Sequence, residues 1–271
     1  MNTMTTPRPT TQFLTRGSDV IAYDVQGEGP LVVAVPGMGD LRTTYRFLAP
    51  TLVAAGFRVA TLDLRGHGES GVDFDRFDDV AAASDVVALL EHLGGPATVI
   101  GNSMGAAVAV VAAADRPDLV ERLVLTGPFV RDVPSPPGMG LAVRTALLRP
   151  WGPRFWRMFH RKMFAAQVPA DYFDYRDGLL VSLTRPGAWS AFQQTVRTSH
   201  QPAEDRLAQV NAPTLVVMGT ADPDFKDPAA EAALVAERLH GRVVLVPDAG
   251  HYPQAEFPDA VGPVVVEFLK A

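Results

Sequence analysis

Ser103 stands in Gly101-Asn102-Ser103-Met104-Gly105, a Gly-x-Ser-x-Gly pattern in a chain of 271 residues. Glycines two residues either side let the backbone bend sharply enough to lift the hydroxyl clear of the chain. Such a hydroxyl is a candidate nucleophile, but serine is weak at neutral pH and needs a base. The usual base is histidine, whose pKa lies near the working pH. Six compete: His67, His92, His160, His200, His240 and His251. His251 is chosen because Asp248-Ala249-Gly250-His251-Tyr252 directly follows the last clear strand pattern, and parallel sheets place their sites at strand C-termini. His92 and His240 end predicted helices and are expected to meet terminal carbonyls. His67, in a glycine-flanked turn, is expected to hold its own loop together. His160 and His200 are runners-up.

A base of this kind needs a carboxylate that fixes its tautomer and stabilises its charged form. Asp222, in Gly219-Thr220-Ala221-Asp222-Pro223-Asp224, again follows a strand pattern and is the first choice. Asp224 is its rival. Asp227 is more distant and better suited to capping the next helix. An oxyanion formed at a carbonyl carbon needs two donors. The Met104 N–H, at a helix start, is one. The Met38 N–H, in Pro36-Gly37-Met38-Gly39, is the other, because Gly37 and Gly39 permit close approach.

These residues need a sheet to carry them. Residues 31–35 are continuously apolar, as in a strand buried on both faces, 97–100 read as a buried strand, 57–62 and 214–218 as further strands, and 21, 23 and 25 alternate as on a half-exposed strand. Helical patterns follow at about 79–93, 106–114, 228–239 and 260–269, and Asp40 is expected to cap a helix through about 55. Further strands are expected from 123 and over 243–246. The alternation predicts an α/β fold, a mostly parallel sheet with helices on both faces.

Residues 129–205 break that alternation and are expected to be a helical cap inserted into a core made of 1–128 and 206–271. Pro134, Pro136, Pro137, Pro150, Pro153, Pro169 and Pro186 punctuate it. Phe155 and Phe159 recur at helical spacing and, with Phe129 and Trp189, are the expected substrate pocket. Arg149, Arg154, Arg157, Arg161 and Lys162 read as a solvated helix face, with an anion-binding entrance as the sharper alternative.

Composition bounds the partners. The net charge of −6 without a basic stripe argues against nucleic acid. With no cysteine, disulfides, thiolate catalysis and cysteine-ligated zinc are excluded. No apolar run approaches the roughly 20 residues that cross a bilayer, so no membrane partner is expected. Residues 1–12 carry two prolines and no apolar core, and are expected to be a loose tail rather than a secretory signal. The protein is expected to be cytoplasmic, monomeric or homodimeric.

The order Ser103, Asp222, His251, with Pro36-Gly37-Met38-Gly39, Asp63-Leu64-Arg65-Gly66-His67-Gly68-Glu69-Ser70, Gly101-Asn102-Ser103-Met104-Gly105 and Gly250-His251, resembles the α/β-hydrolase superfamily. The resemblance covers about 18–270 and implies a triad enzyme with a cap and no metal or organic cofactor. Pro36 departs from the pattern, since relatives usually carry histidine there to support the loop. The first expectation is hydrolysis of a small carboxylic ester, lactone or thioester. Carbon–carbon hydrolysis of a diketone-like acid, cofactor-free perhydrolysis, and a non-enzymatic ligand sensor are the alternatives. Relatives with an aspartate nucleophile are set aside because residue 103 is serine.

Overall fold

The apolar runs become the centre of an eight-stranded sheet in the computed structural model, which describes residues 9–133 and 136–271. Its strands are β1 (Gln12–Arg16), β2 (Asp19–Gln26), β3 (Leu31–Val35), β4 (Arg58–Leu62), β5 (Ala97–Asn102), β6 (Val120–Thr126), β7 (Thr214–Gly219) and β8 (Arg242–Val246). The spatial order is β1-β2-β4-β3-β5-β6-β7-β8. The pairs β1–β2 and β2–β4 are antiparallel, and every other pair is parallel.

Burial on both faces explains why β3, β5 and β7 carry no alternation of polar and apolar residues. Period two still sorts their side chains. Val33, Val35 and Val99 point into one apolar layer, with α2 (Asp79–Leu93) and α3 (Met104–Asp115). Val32, Ala34 and Ile100 point into the other, which takes in Leu48 and Leu52 of α1 (Leu48–Ala54). The second layer also holds Val261 and Val265 of α11 (Pro258–Lys270). Helix α3 is buried from Met104 to Ala113 because its side chains are small enough to sit directly on the strands. A methyl group on Gly105 would stand 2.3 Å from Val35 O.

Between β6 and β7 the described chain is helical throughout its regular elements: α4 (Met139–Ala146), α5 (Gly152–Lys162), α6 (Tyr172–Thr184), α7 (Ala188–Thr195) and α8 (Gln201–Glu204). Leu147, Trp156, Leu179, Leu183, Trp189 and Phe192 form a cluster of their own within this stretch. Two helices complete the far end, α9 (Pro228–Arg238) and α10 (Pro253–Glu256). Asp78 caps α2 through Ala81 N–H, and Asp227 caps α9 through Ala230 N–H. The tail residues 1–8 and Pro134 lie outside the described residues.

Three expectations change. The tail expected to be loose through residue 12 ends one residue sooner, because β1 begins at Gln12 and pairs with β2. The helix expected from Asp40 to 55 is a 3-10 turn, Arg42–Tyr45, followed by α1. Pro50 lies in the first turn of α1, where proline is tolerated, and cannot continue a helix backwards because its ring would meet the preceding turn. His92 does not end on helix carbonyls; its Nε2 lies 3.0 Å from Tyr23 OH on β2.

Candidate active site

The turn from β5 into α3 holds Ser103 at φ 56°, ψ −125°, a conformation that costs a non-glycine residue strain. The glycines on either side are required by contact. A Cβ on Gly101 would lie 2.2 Å from Gly105 O, and one on Gly37 would lie 2.8 Å from Ser103 Cβ. The strain therefore persists because the strand, the helix and the loop after β3 all close on this one residue. Ser103 follows the end of β5 and precedes the first turn of α3, where the initial N–H groups lack intrahelical acceptors. Met104 N–H is the first of them.

The loop after β3 is held from several sides. Gly39 N–H donates to His67 Nε2 at 2.9 Å, and His67 Nδ1 lies 3.0 Å from Arg65 O. Nε2 is thus the acceptor and Nδ1 carries the proton. Burial lowers the pKa of His67, which keeps it in this neutral form. Trp156 of α5 donates its indole N–H to Gly39 O at 3.2 Å, and Tyr45 OH donates to Val35 O at 2.7 Å. Asp40 N–H closes a turn on Gly37 O at 3.3 Å. Met38 N–H has no partner among the described residues. His67 thus does more than hold its own turn: with Trp156 and Tyr45 it supports a loop that begins with proline.

At the other end of the site, His251 Nδ1 lies 2.8 Å from Asp222 Oδ2, and both side chains are buried. Asp222 extends from the end of β7, and its Oδ1 accepts Asp224 N–H at 3.0 Å. The Asp224 carboxylate stands 3.5 Å from the same Nδ1. Burial opposes charge on the imidazole, but Asp222 and Asp224 outweigh it and push the His251 pKa up to about 9. Burial, and then the Asp222 charge against the pull of His251, raise the Asp224 pKa. Donor atoms of Asp222, Asp224 and His251 lie within 4.8 Å of one another, so these are the residues that could hold a metal ion. In the hydrogen-bonded arrangement Nδ1 is already committed to Asp222.

The serine and the histidine are brought to one edge by intervening groups. Asn102 donates its side-chain amide to His251 O at 3.2 Å and to Thr126 O at 2.9 Å. Phe129 N–H donates to Ser103 O at 3.3 Å, while its ring lies 5.8 Å from the His251 ring. No hydrogen bond joins Ser103 Oγ to His251 among the described residues; such contacts are commonly loose until substrate binds.

Helix α5 crosses over both halves. Trp156 holds the Gly39 carbonyl, and Met163 O, just past the helix, accepts His251 N–H at 2.8 Å. Glu256, buried on α10, takes Gly250 N–H at 2.8 Å and Ala166 N–H at 2.7 Å, tying the histidine loop to the segment after α5. Sequence reasoning missed Trp156 and Glu256, whose partners lie 117 and 90 residues away.

Of the aromatic residues expected to form a pocket, Phe155, Phe159 and Trp189 share one cluster and Phe129 lies in another. Phe129 touches the His251 ring. Phe155 and Phe159 stack at 6.0 Å on α5, half-buried. Trp189 is sealed inside the helical stretch, its indole N–H on Leu147 O at 3.1 Å, and its ring contacts do not reach Ser103 or His251. It belongs to internal packing there because α7 turns that face toward α5. Of the runner-up histidines, His160 is buried among Tyr172, Tyr252 and Phe164, its pKa lowered by burial to about 3. His200 pairs with Asp79 at 2.8 Å. Arg149, Arg154, Arg157, Arg161 and Lys162, read as a solvated helix face, are all exposed.

Known proteins share both the sequence pattern and the architecture. A family model described as the alpha/beta hydrolase family matches residues 32–263. A Mycobacterium tuberculosis protein named as a non-heme bromoperoxidase is 30% identical over 92% of this chain and 97% of its own. A pimeloyl-[acyl-carrier protein] methyl ester esterase of Neisseria meningitidis is 29% identical over 88% of this chain and 92% of its own. Among solved structures, a thermophilic esterase from Thermogutta terrifontis superposes with a TM-score of 0.79 at 27% identity, covering 96% of this chain and 98% of its own. With the family model matched over most of the chain and relatives aligned along nearly their whole length, the chain is a member of the alpha/beta hydrolase family.

Proposed function

We propose that the protein hydrolyses a small carboxylic ester, with lactones and thioesters as chemical variants, through Ser103, His251 and Asp222. The observation that carries this reading is the strained Ser103, at φ 56°, closed in by Gly37 at the same sheet edge as an Asp222-bound imidazole. Ser103 Oγ attacks the carbonyl carbon while His251 Nε2 takes its proton. Asp222 holds Nδ1–H and stabilises the imidazolium. The oxyanion is met by Met38 N–H and Met104 N–H, which develop their full value only in the transition state. The tetrahedral intermediate collapses to an acyl-serine as His251 returns its proton to the leaving alcohol. Water, deprotonated by His251, then attacks the acyl carbon, and the acid leaves with Ser103 regenerated.

Residues 129–205 serve in this reading as the cap, with α5 as the roof over the oxyanion loop and His251. The esterase names among the relatives support the ester reading. A second reading, perhydrolysis of a carboxylic acid by peroxide on the same serine, has the bromoperoxidase name in its favour. Carbon–carbon cleavage is the third reading, and a Comamonas testosteroni relative at 26% identity is named a 2-hydroxy-6-oxononadienedioate/2-hydroxy-6-oxononatrienedioate hydrolase. It has less support here, because the cap arginines that would hold a substrate carboxylate are exposed.

The test is release of p-nitrophenol from esters of increasing acyl length. Turnover that falls on the order of 10⁶-fold in Ser103→Ala supports the proposal. Turnover retained in that variant overturns it. Peroxide-dependent halogenation exceeding ester turnover would favour the second reading.

A further inference from the structure

The cap carries a surface that the reaction does not use. Between residues 133 and 170 the chain has Arg144, Arg149, Arg154, Arg157, Arg161 and Lys162 and no carboxylate. The whole chain has 24 cations against 30 carboxylates, so the remainder has eighteen against thirty. All six cations are exposed, and none joins an ion pair among the described residues. Elsewhere Arg42, Arg46, Arg65, Arg116 and Arg131 are each paired with a carboxylate.

The same stretch exposes large apolar side chains. Met139, Leu141, Leu148, Trp151 and Met158 are 45%, 69%, 48%, 49% and 59% exposed. Helix α4 fully buries no residue; Val143 packs against the Leu147–Trp156 cluster, while Met139 and Leu141 stay outside any core. Trp151 is fixed at the corner between α4 and α5 by its indole N–H on Thr145 O at 2.9 Å. A groove beside it is lined by Leu141, Arg144, Leu148, Gln193, Val196 and Arg197.

A face that merely keeps a protein in solution mixes both signs of charge and carries few large apolar groups. This face has one sign and a tryptophan, two leucines and two methionines. An acidic protein would satisfy the arginines and leave no need for that apolar set. A bilayer satisfies both at once, with phosphates for the guanidinium groups and the headgroup boundary for the apolar ones. We propose that the α4–α5 face of the cap docks on an anionic lipid surface, with Arg144, Arg149, Arg154 and Arg157 on phosphates and Leu141, Leu148 and Trp151 entering the boundary.

No helix is long and apolar enough to cross a membrane, and a peripheral contact needs none. That is why the expectation of no membrane partner, drawn from the lack of a spanning run, does not extend to this face. The contact also reaches the site. Helix α5 presents Arg154, Arg157, Met158 and Arg161 outward, while Trp156 holds Gly39 O and Met163 holds His251 N–H. Docking therefore bears on the roof of the site, and the substrate class becomes an ester that partitions into lipid. This last step rests on the hydrolase reading; the docking does not.

The test uses the full chain with sedimented vesicles of phosphatidylcholine alone, or with about a third phosphatidylglycerol, and with Arg149→Glu/Arg157→Glu and Leu141→Asp. Binding to anionic vesicles only, weakened at least about tenfold by high salt or by the charge reversals, is the expected result. A blue shift of tryptophan emission on anionic vesicles is expected too, since Trp156 and Trp189 are buried and Trp151 is not. Turnover of soluble p-nitrophenyl acetate should be the same in the variants as in the parent. Absence of vesicle binding overturns the proposal, as does equal binding to neutral vesicles. So does self-association abolished by Leu141→Asp, which would make a second copy the occupant, or binding to an acidic protein with no binding to vesicles. Anionic-vesicle binding without ester turnover would uphold the docking and count against the hydrolase reading alone.

Discussion

Asp224 Oδ2 stands 3.5 Å from His251 Nδ1, behind the 2.8 Å contact that Asp222 makes with the same nitrogen. Two carboxylates thus face one imidazole, and they hold its pKa above the ordinary histidine value of about 6.5. Only the neutral ring can take the serine proton. The kcat/KM of the free enzyme should therefore climb with pH to an alkaline plateau, with its limb displaced toward about 9. Asp224→Asn removes one charge and should move that limb to lower pH while leaving the plateau within about tenfold. Asp222→Asn should instead cost on the order of 10⁴ in kcat through tautomer and charge. Rate–pH profiles of the two variants decide between them; a larger loss in Asp224→Asn would exchange their roles.

The same shift has a stability consequence. A histidine whose folded pKa exceeds its unfolded one stabilises the fold below about 6.5, and that contribution is lost as pH rises through about 9. Thermal unfolding against pH should show this decline in the parent and a smaller one in Asp224→Asn. Parallel curves for the two proteins would contradict the electrostatic coupling.

His67 accepts Gly39 N–H from a fully buried position, so its removal should loosen the loop after β3, the proposed source of one oxyanion donor. His67→Ala should lower kcat on the order of 10²-fold with KM changed little, because the loop's donor matters most in the transition state. Met38→Ala should stay near the parent rate, since the backbone N–H is kept. A Met38→Ala loss as large as that of His67→Ala would mean that the side chain, not the N–H, is what the substrate meets.

Glu256 satisfies N–H groups on two loops that share no sequence neighbourhood. Glu256→Ala leaves Gly250 and Ala166 N–H groups without their acceptor and should cost about 2–4 kcal/mol of stability, measured by denaturant unfolding. Glu256→Gln, which keeps an acceptor oxygen, should recover about half of that. Equal stabilities for all three proteins would show that this carboxylate does not tie the loops.

How much of this was legible depends on the range of each interaction. Strands β3, β5 and β7 are buried end to end, so their apolar runs announce them locally. Ser103 and Asp222 follow such runs, whereas His251 follows β8, an edge strand in which only Val246 is buried; their placement at one sheet edge comes from the fold. Strand β1 was missed because it is an edge strand with Phe13 53% exposed, so no buried face imposes a pattern. His92 was misplaced because Tyr23, its partner, comes from another strand. In the cap, periodicity shows which residues could pack but not which way a helix turns. Phe129 consequently lies against His251, while Trp189, equally aromatic, is sealed away from it.

The most direct test of the account is covalent labelling of the intact protein with a fluorophosphonate, read by peptide mass spectrometry. A single adduct on Ser103, absent in Ser103→Ala and slowed in His251→Ala, is the expected result. An adduct on another residue, or none on a protein that still turns over esters, would contradict the assignment of Ser103 as the nucleophile.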